Sequence, residues 1–128
     1  MKFNKIHHVA IICSDYIKSK KFYTEVLGFE IEKETYREER NSYKLDLKIN
    51  GVYQIELFSF PNAPERVNYP EARGLRHLAF EVDDINETVK ELAKKGVVTE
   101  KIRIDEVTGK KFTFFNDPDK LPLEIYEK

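Results

Sequence analysis

The stretch His7-His8-Val9-Ala10-Ile11 returns in diverged form as Arg76-His77-Leu78-Ala79-Phe80, and this repeat decides the fold. In each copy an aspartate follows the histidine seven positions later (8 and 15, 77 and 84). A strand glutamate follows a glycine 28 positions later (28 and 56, 96 and 124). The matched positions are His8 and His77, Asp15 and Asp84, Gly28 and Gly96, and Glu56 and Glu124. The chain is therefore predicted to contain two copies of one unit.

Each copy predicts the element order β-α-β-β-β. Aspartate caps each helix at its start, and glycine follows each helix as a left-handed C-cap. Asn50-Gly51 is a strong signal for a two-residue hairpin. The predicted helices are residues 16–27 and the stretch from Asp84 to just before Gly96, and the predicted strands are residues 3–13, 29–36, 42–49, 52–60, 75–82, 97–107, 111–115 and 121–126.

This pattern predicts an α+β fold in a single domain of residues 1–128. Module one covers residues 1–60, a proline-rich linker covers residues 61–73, and module two covers residues 74–128. Neither module would bury enough apolar surface alone, so the modules are expected to pair within one chain or between two chains.

The repeated histidine and glutamate predict a metal site. Successive strand residues face opposite sides, so His8 shares a face with Ala10, and His77 shares a face with Ala79. Each glutamate lies between two apolar residues of a strand, and a buried carboxylate is costly unless it is paired or coordinated. Two imidazoles and two carboxylates at matched positions therefore indicate a divalent cation bound by His8, Glu56, His77 and Glu124.

Composition narrows the function classes. The net charge of -1 and the interspersed charges give no basis for a nucleic-acid or anionic-membrane partner. No apolar run approaches the length of a membrane span, and the single Cys13 can form no internal disulfide, which favours a cytoplasmic location. The expected partner is a small-molecule substrate.

The chain resembles the vicinal oxygen chelate superfamily, which includes glyoxalase I, bleomycin-resistance proteins and extradiol dioxygenases. The resemblance covers nearly the whole chain and is strongest to small bacterial glyoxalase-I-like proteins of the YaeR type. It rests on HHVAI, KFYTEVLGFE, YQIELFSFP, GLRHLAFEVDDI and FTFFNDPDKLPLEIYE. It implies paired βαβββ modules that form a curved, open, barrel-like sheet around the metal site.

The resemblance carries the ligand roles to His8, Glu56, His77 and Glu124, with Zn²⁺ or Ni²⁺ as the ion. It implies a lactoylglutathione-lyase-like lyase or isomerase acting through an enediolate, with Glu124 as the base and Glu56 as the alternative. It also implies a homodimer. The alternatives are a thiol transferase or epimerase on the same scaffold and a non-enzymatic binding protein for an antibiotic-like small molecule. A dioxygenase is disfavoured, because that branch uses two histidines and one glutamate.

Two positions depart from the glyoxalase I pattern. Ile12 replaces an arginine that helps to bind a glutathione carboxylate, and Phe60 replaces an asparagine.

The sequence leaves the roles of two further features open. The charged bend of residues 36–40 is either a solvated loop or part of a pocket entrance, and the aromatic residues Phe58, Phe60, Phe112 and Phe114 either line a cavity or fill the core.

Overall fold

The computed structural model describes all residues, 1–128, and the chain divides into two compact units, Met1–Pro64 and Glu65–Lys128. Each unit contains one four-stranded sheet and one α-helix, which confirms the predicted α+β class. No helix of the structure has the length and apolar character needed to cross a bilayer.

The first unit follows the predicted β-α-β-β-β order. Its elements are β1 (Val9–Cys13), α1 (Tyr16–Lys21) with a π-helical turn (Phe22–Val26), β2 (Glu30–Arg37), a 3₁₀ turn (Glu38–Arg40), β3 (Ser42–Ile49) and β4 (Val52–Ser59). Asp15 caps α1 by accepting a hydrogen bond from the Lys18 backbone N–H at 3.1 Å. Asn50 and Gly51 join β3 to β4 with φ angles of 50° and 77°, the left-handed geometry of a type I′ turn.

The sheet of the first unit has the strand order β1-β4-β3-β2, with β1 parallel to β4 and the other pairs antiparallel. One face forms the core, where Leu45, Leu47 and Leu57 are fully buried. Each such side chain contributes about 1.5–3 kcal/mol by leaving water. Helix α1 packs against β4, and Glu56 faces the other side of the sheet.

One predicted boundary in the first unit is wrong, and the predicted helix of residues 16–27 changes type along its length. The first strand begins at Val9 and not at residue 3, because β1 is an edge strand whose pairing with β4 starts at Val9 opposite Ile55. The α-helix ends at Lys21 and continues as a π-helical turn, in which the Leu27 N–H donates to the Phe22 carbonyl at 3.0 Å.

The second unit repeats the arrangement with β5 (Leu78–Val82), α2 (Ile85–Lys94), β6 (Arg103–Ile104), β7 (Lys111–Asn116) and β8 (Pro122–Glu127). Asp84 caps α2 by accepting from the Glu87 N–H at 3.1 Å, and Gly96 follows the helix with φ of 82°. The strand order β5-β8-β7-β6 matches that of the first sheet position by position, which confirms the predicted repeat. Neither sheet closes on itself, since each has two edge strands.

The strand predicted over residues 97–107 is much shorter in the structure. Only Arg103 and Ile104 form ladder pairs with β7. Earlier in this segment, Glu100 is connected to β7 by single hydrogen bonds, from its N–H to the Phe114 carbonyl at 2.8 Å and from the Thr113 hydroxyl to its own carbonyl at 2.8 Å. The apolar residues of this stretch therefore follow the sheet edge without forming a continuous ladder.

Candidate metal centre

The first unit brings His8 and Glu56 into contact. Ala10 lies opposite Glu56 in the parallel β1–β4 pair, and His8 precedes Ala10 by two residues, so both side chains lie on one face. The His8 Nε2 atom is 3.5 Å from Glu56 Oε1. The carboxylate is buried, at 8% exposure, whereas the imidazole side chain is 39% exposed.

The second unit builds the same pair from His77 and Glu124. Ala79 lies opposite Glu124 in the parallel β5–β8 pair, and His77 again precedes the alanine by two residues. The His77 Nε2 atom is 3.0 Å from Glu124 Oε2, and Glu124 is 9% exposed. The structure therefore brings the four sequence-predicted residues together as two pairs, one in each unit.

The chemistry of these pairs suits a divalent metal. Each pair offers one imidazole nitrogen and one carboxylate oxygen, donors that Zn²⁺ and Ni²⁺ accept. Each carboxylate is buried, and coordination would offset the cost of that burial. Neither unit by itself contains three or more histidine, cysteine, aspartate or glutamate side chains arranged so that they could hold a metal ion.

A β-bulge gives Glu56 additional partners that the sequence does not reveal. The register between β3 and β4 shifts between Leu47 and Lys48, which turns Tyr53 to the face that carries Glu56. The Tyr53 hydroxyl donates to Glu56 Oε2. Burial, and then the Glu56 carboxylate, raise the pKa of the Tyr53 phenol above its usual range, so the phenol remains a donor.

Lys44 provides a cation beside the same carboxylate. Its Nζ lies 3.5 Å from Glu56 Oε2 and 2.8 Å from Asp46 Oδ1. The Asp46 carboxylate is the main reason why the pKa of Lys44 is raised, and the amine therefore remains charged at neutral pH. Glu56 is thus held by a phenol and an ammonium group in addition to His8.

Glu124 has a different environment. Its only polar side-chain contact is His77, and the residue opposite it on β7 is Phe114, where the first unit has Asp46. The His77 and Phe114 rings meet edge to face, with centroids 5.1 Å apart. The two glutamates therefore occupy matched backbone positions but unequal surroundings.

His7 contacts His8 of the first pair. Its Nδ1 atom is 2.9 Å from the Nδ1 of His8, and one of these nitrogens donates to the other. This contact orients the His8 ring with Nε2 toward Glu56. The adjacent histidines were visible in the sequence, but strand alternation alone places them on opposite faces.

The family model described as "Glyoxalase/Bleomycin resistance protein/Dioxygenase superfamily" matches residues 5–125. The chain belongs to this superfamily. The matched range includes both histidine–glutamate pairs and confirms the resemblance found in the sequence.

Several similar proteins align with nearly the entire chain. The uncharacterized protein YwkD of Bacillus subtilis is 64% identical over 100% of both chains, and the uncharacterized protein YaeR of Escherichia coli is 59% identical over 97% of this chain and 96% of its own. A solved glyoxalase family protein from Enterococcus faecalis is 52% identical, covers 99% of this chain and 100% of its own, and superposes with a TM-score of 0.91.

The glyoxalase superfamily includes several enzymes. Among its members are glyoxalase I, an epimerase and fosfomycin resistance enzymes, and divalent metal ions are common cofactors in the family. The two departures from the glyoxalase I pattern lie on the site face of the first unit. Ile12 pairs with Phe58 on that face and is 53% exposed, and Phe60 follows two residues after Phe58.

Proposed function

We propose that the protein is a metal-dependent lyase or isomerase of the glyoxalase I type, acting through an enediolate on a small oxygenated substrate such as a thiol adduct of a 2-oxoaldehyde. The proposal rests on the repeated contact between an imidazole and a buried carboxylate, His8 with Glu56 and His77 with Glu124. Similarity to the lactoylglutathione lyase of Schizosaccharomyces pombe, 28% identical over 98% of this chain and 48% of its own, supports the same chemistry.

In this proposal the two pairs, from one chain or from two chains, hold one Zn²⁺ or Ni²⁺ ion. Two neutral imidazoles and two carboxylates balance its charge. When bound, the ion would polarise the substrate carbonyl and make the neighbouring proton more acidic. The protein's own part is to place a base beside that proton and to orient the substrate.

We assign the base to Glu124. The Glu56 carboxylate already accepts a hydrogen bond from Tyr53 and lies beside the Lys44 ammonium group, so its oxygens are occupied and fixed in place. Glu124 has no such donors. Glu124 would remove the proton next to the carbonyl and return it to the adjacent carbon, while Glu56 acts as a fixed ligand.

The test is solvent proton exchange by the metal-loaded protein. We expect α-hydroxycarbonyls or thiol hemithioacetals to exchange their α-proton in D₂O, followed by proton NMR. The glutathione adduct should be a poor substrate, because Ile12 and Phe60 lack polar contacts worth about 1.5–3 kcal/mol each. Efficient turnover of that adduct would contradict the expectation that glutathione is a poor thiol partner. Absence of exchange with every compound tested, at full metal occupancy, would contradict the proposed lyase or isomerase function.

Epimerisation is the second candidate. The 2-epi-5-epi-valiolone epimerase of Actinomyces is 27% identical over 94% of this chain and 77% of its own. An epimerase would use the same proton removal but return the proton to the same carbon from the other face. Chiral analysis of the exchanged product distinguishes the candidates. Isomerisation moves the proton to the adjacent carbon of the substrate, whereas epimerisation inverts the configuration of a single stereocentre.

We also propose a homodimer, on the basis of the family resemblance. Each unit supplies only two of the four proposed ligands, and members of the superfamily are often dimers. Light scattering of the metal-loaded protein at micromolar concentration should give twice the chain mass of 15.2 kDa. A mass equal to that of one chain would contradict this expectation.

A further inference from the structure

The bend that sequence analysis left open lies beside an aromatic pair on the first sheet. Phe58 and Phe60 stack with ring centroids 5.8 Å apart and planes 9° apart. The Arg37 guanidinium carbon is 5.0 Å from the Phe58 centroid and 5.7 Å from that of Phe60. The Arg40 guanidinium carbon is 4.8 Å from the Phe60 centroid. Arg37, Arg40, Phe58 and Phe60 are called the arginine–aromatic cluster below.

This cluster is on the face of the first sheet that carries the His8–Glu56 pair. Phe58 follows Glu56 by two residues in an uninterrupted part of β4, so the two side chains point to the same side. Arg37 lies opposite Ser42 on β3, and Ser42 and Lys44 share that face as well. About 7 Å of strand separates Glu56 from Phe58, given a rise of about 3.3 Å per residue.

The two guanidinium groups lack anionic partners. Arg37 donates from Nη2 to the Ser42 hydroxyl at 3.1 Å, and its Nε is buried without a partner. Arg40 contacts the Phe60 ring and forms no ion pair. Glu38 and Glu39, which separate them in the 3₁₀ turn, pair with neither guanidinium.

The second unit offers an internal comparison. Arg103 lies over Phe112 and Phe114 at 5.0 and 5.7 Å, the same distances as for Arg37. Arg103, however, has a carboxylate partner in Glu100 at 3.8 Å. Stacking on aromatic rings alone therefore does not distinguish the arginine–aromatic cluster, whereas the absence of an anion beside two adjacent cations does.

We infer that the arginine–aromatic cluster binds the oxyanion group of the substrate, a phosphate or a carboxylate. Guanidinium groups recognise such oxyanions through paired N–H donors, and stacking on Phe58 and Phe60 fixes their planes in advance. This inference rests on the proposed function, because it places the reacting carbonyl at the metal-binding pair and the anion about 7 Å farther along β4. The substrate class is thus a small α-hydroxycarbonyl compound with a terminal oxyanion.

Anion binding can be tested without turnover. Inorganic phosphate and acetate are titrated into the metal-loaded, full-length protein, and the arginine Nε–Hε NMR signals are followed. We expect saturable binding that shifts the Arg37 signal. Arg37→Gln and Arg40→Gln should each weaken it by about tenfold or more, as expected for loss of a charge-assisted hydrogen bond. Arg103→Gln is the matched control and should change affinity by less than about twofold, since Arg103 already has Glu100.

Arg40 is exposed, so its replacement keeps the test valid if Arg37→Gln fails to fold. Stronger binding of one probe identifies phosphate or carboxylate as the group recognised. The inference is overturned if neither probe binds, or if Arg103→Gln weakens binding as much as the two cluster variants do. Failure of the proposed function has a different signature, because proton exchange would then be absent while anion binding and its dependence on Arg37 and Arg40 remain.

Discussion

Replacing His77 by alanine should remove most of the bound metal. His77 contributes its Nε2 beside Glu124, and alanine leaves that buried carboxylate without its only polar partner. Loss of a partner that merely orients a ligand costs about 10–100-fold in metal affinity, so loss of the ligand itself should cost at least about 100-fold. Elemental analysis after metal loading and dialysis, together with competition against a chelating dye, measures the change.

The matched control is His7→Ala. His8 is the residue of the first unit that matches His77. His7 contacts His8 through Nδ1 and forms no ion pair with Glu56, so His7→Ala should weaken metal binding less than His8→Ala does. If His7→Ala and His8→Ala lose metal equally, His8 is not distinguished as a ligand. If carefully loaded wild-type protein contains no metal, the entire site assignment is wrong.

The two histidine–glutamate contacts were predictable because they depend only on local rules and on the repeat. Alternation along β4 and β8 directs Glu56 and Glu124 away from the core, and the histidine two residues before each alanine follows the same alternation. The turn at Asn50-Gly51 and the aspartate caps were predictable for the same reason, since each needs a residue type at a single position.

The partners of Glu56 were not predictable, because they depend on a register shift. The two-residue turn pairs Ile49 with Val52, and an unbroken ladder from there would place Leu45 opposite Glu56. The bulge changes the partner to Asp46 and brings Lys44 and Tyr53 to the site face. Nothing in the local sequence marks the position of this extra residue. The unequal surroundings of the two glutamates therefore become visible only in the structure.

Glu124→Gln should reduce turnover much more than metal binding. The glutamine amide can still coordinate through its oxygen, but it cannot accept a proton near neutral pH. Loss of a general base costs about 10²–10⁴-fold in rate. The measurement is α-proton exchange in D₂O, with metal occupancy determined on the same samples.

The control is Glu56→Gln at the matched position of the first unit. Tyr53 and Lys44 already hold this carboxylate, so we expect weaker metal binding but more residual exchange than in Glu124→Gln once metal is supplied in excess. The comparison is informative because both glutamates are equally buried, at 8% and 9% exposure, and differ mainly in their donors. Equal loss of exchange at equal metal occupancy would mean that the two carboxylates share the proton transfer. In that case the contacts of Glu56 with Tyr53 and Lys44 would not determine which glutamate acts as the base.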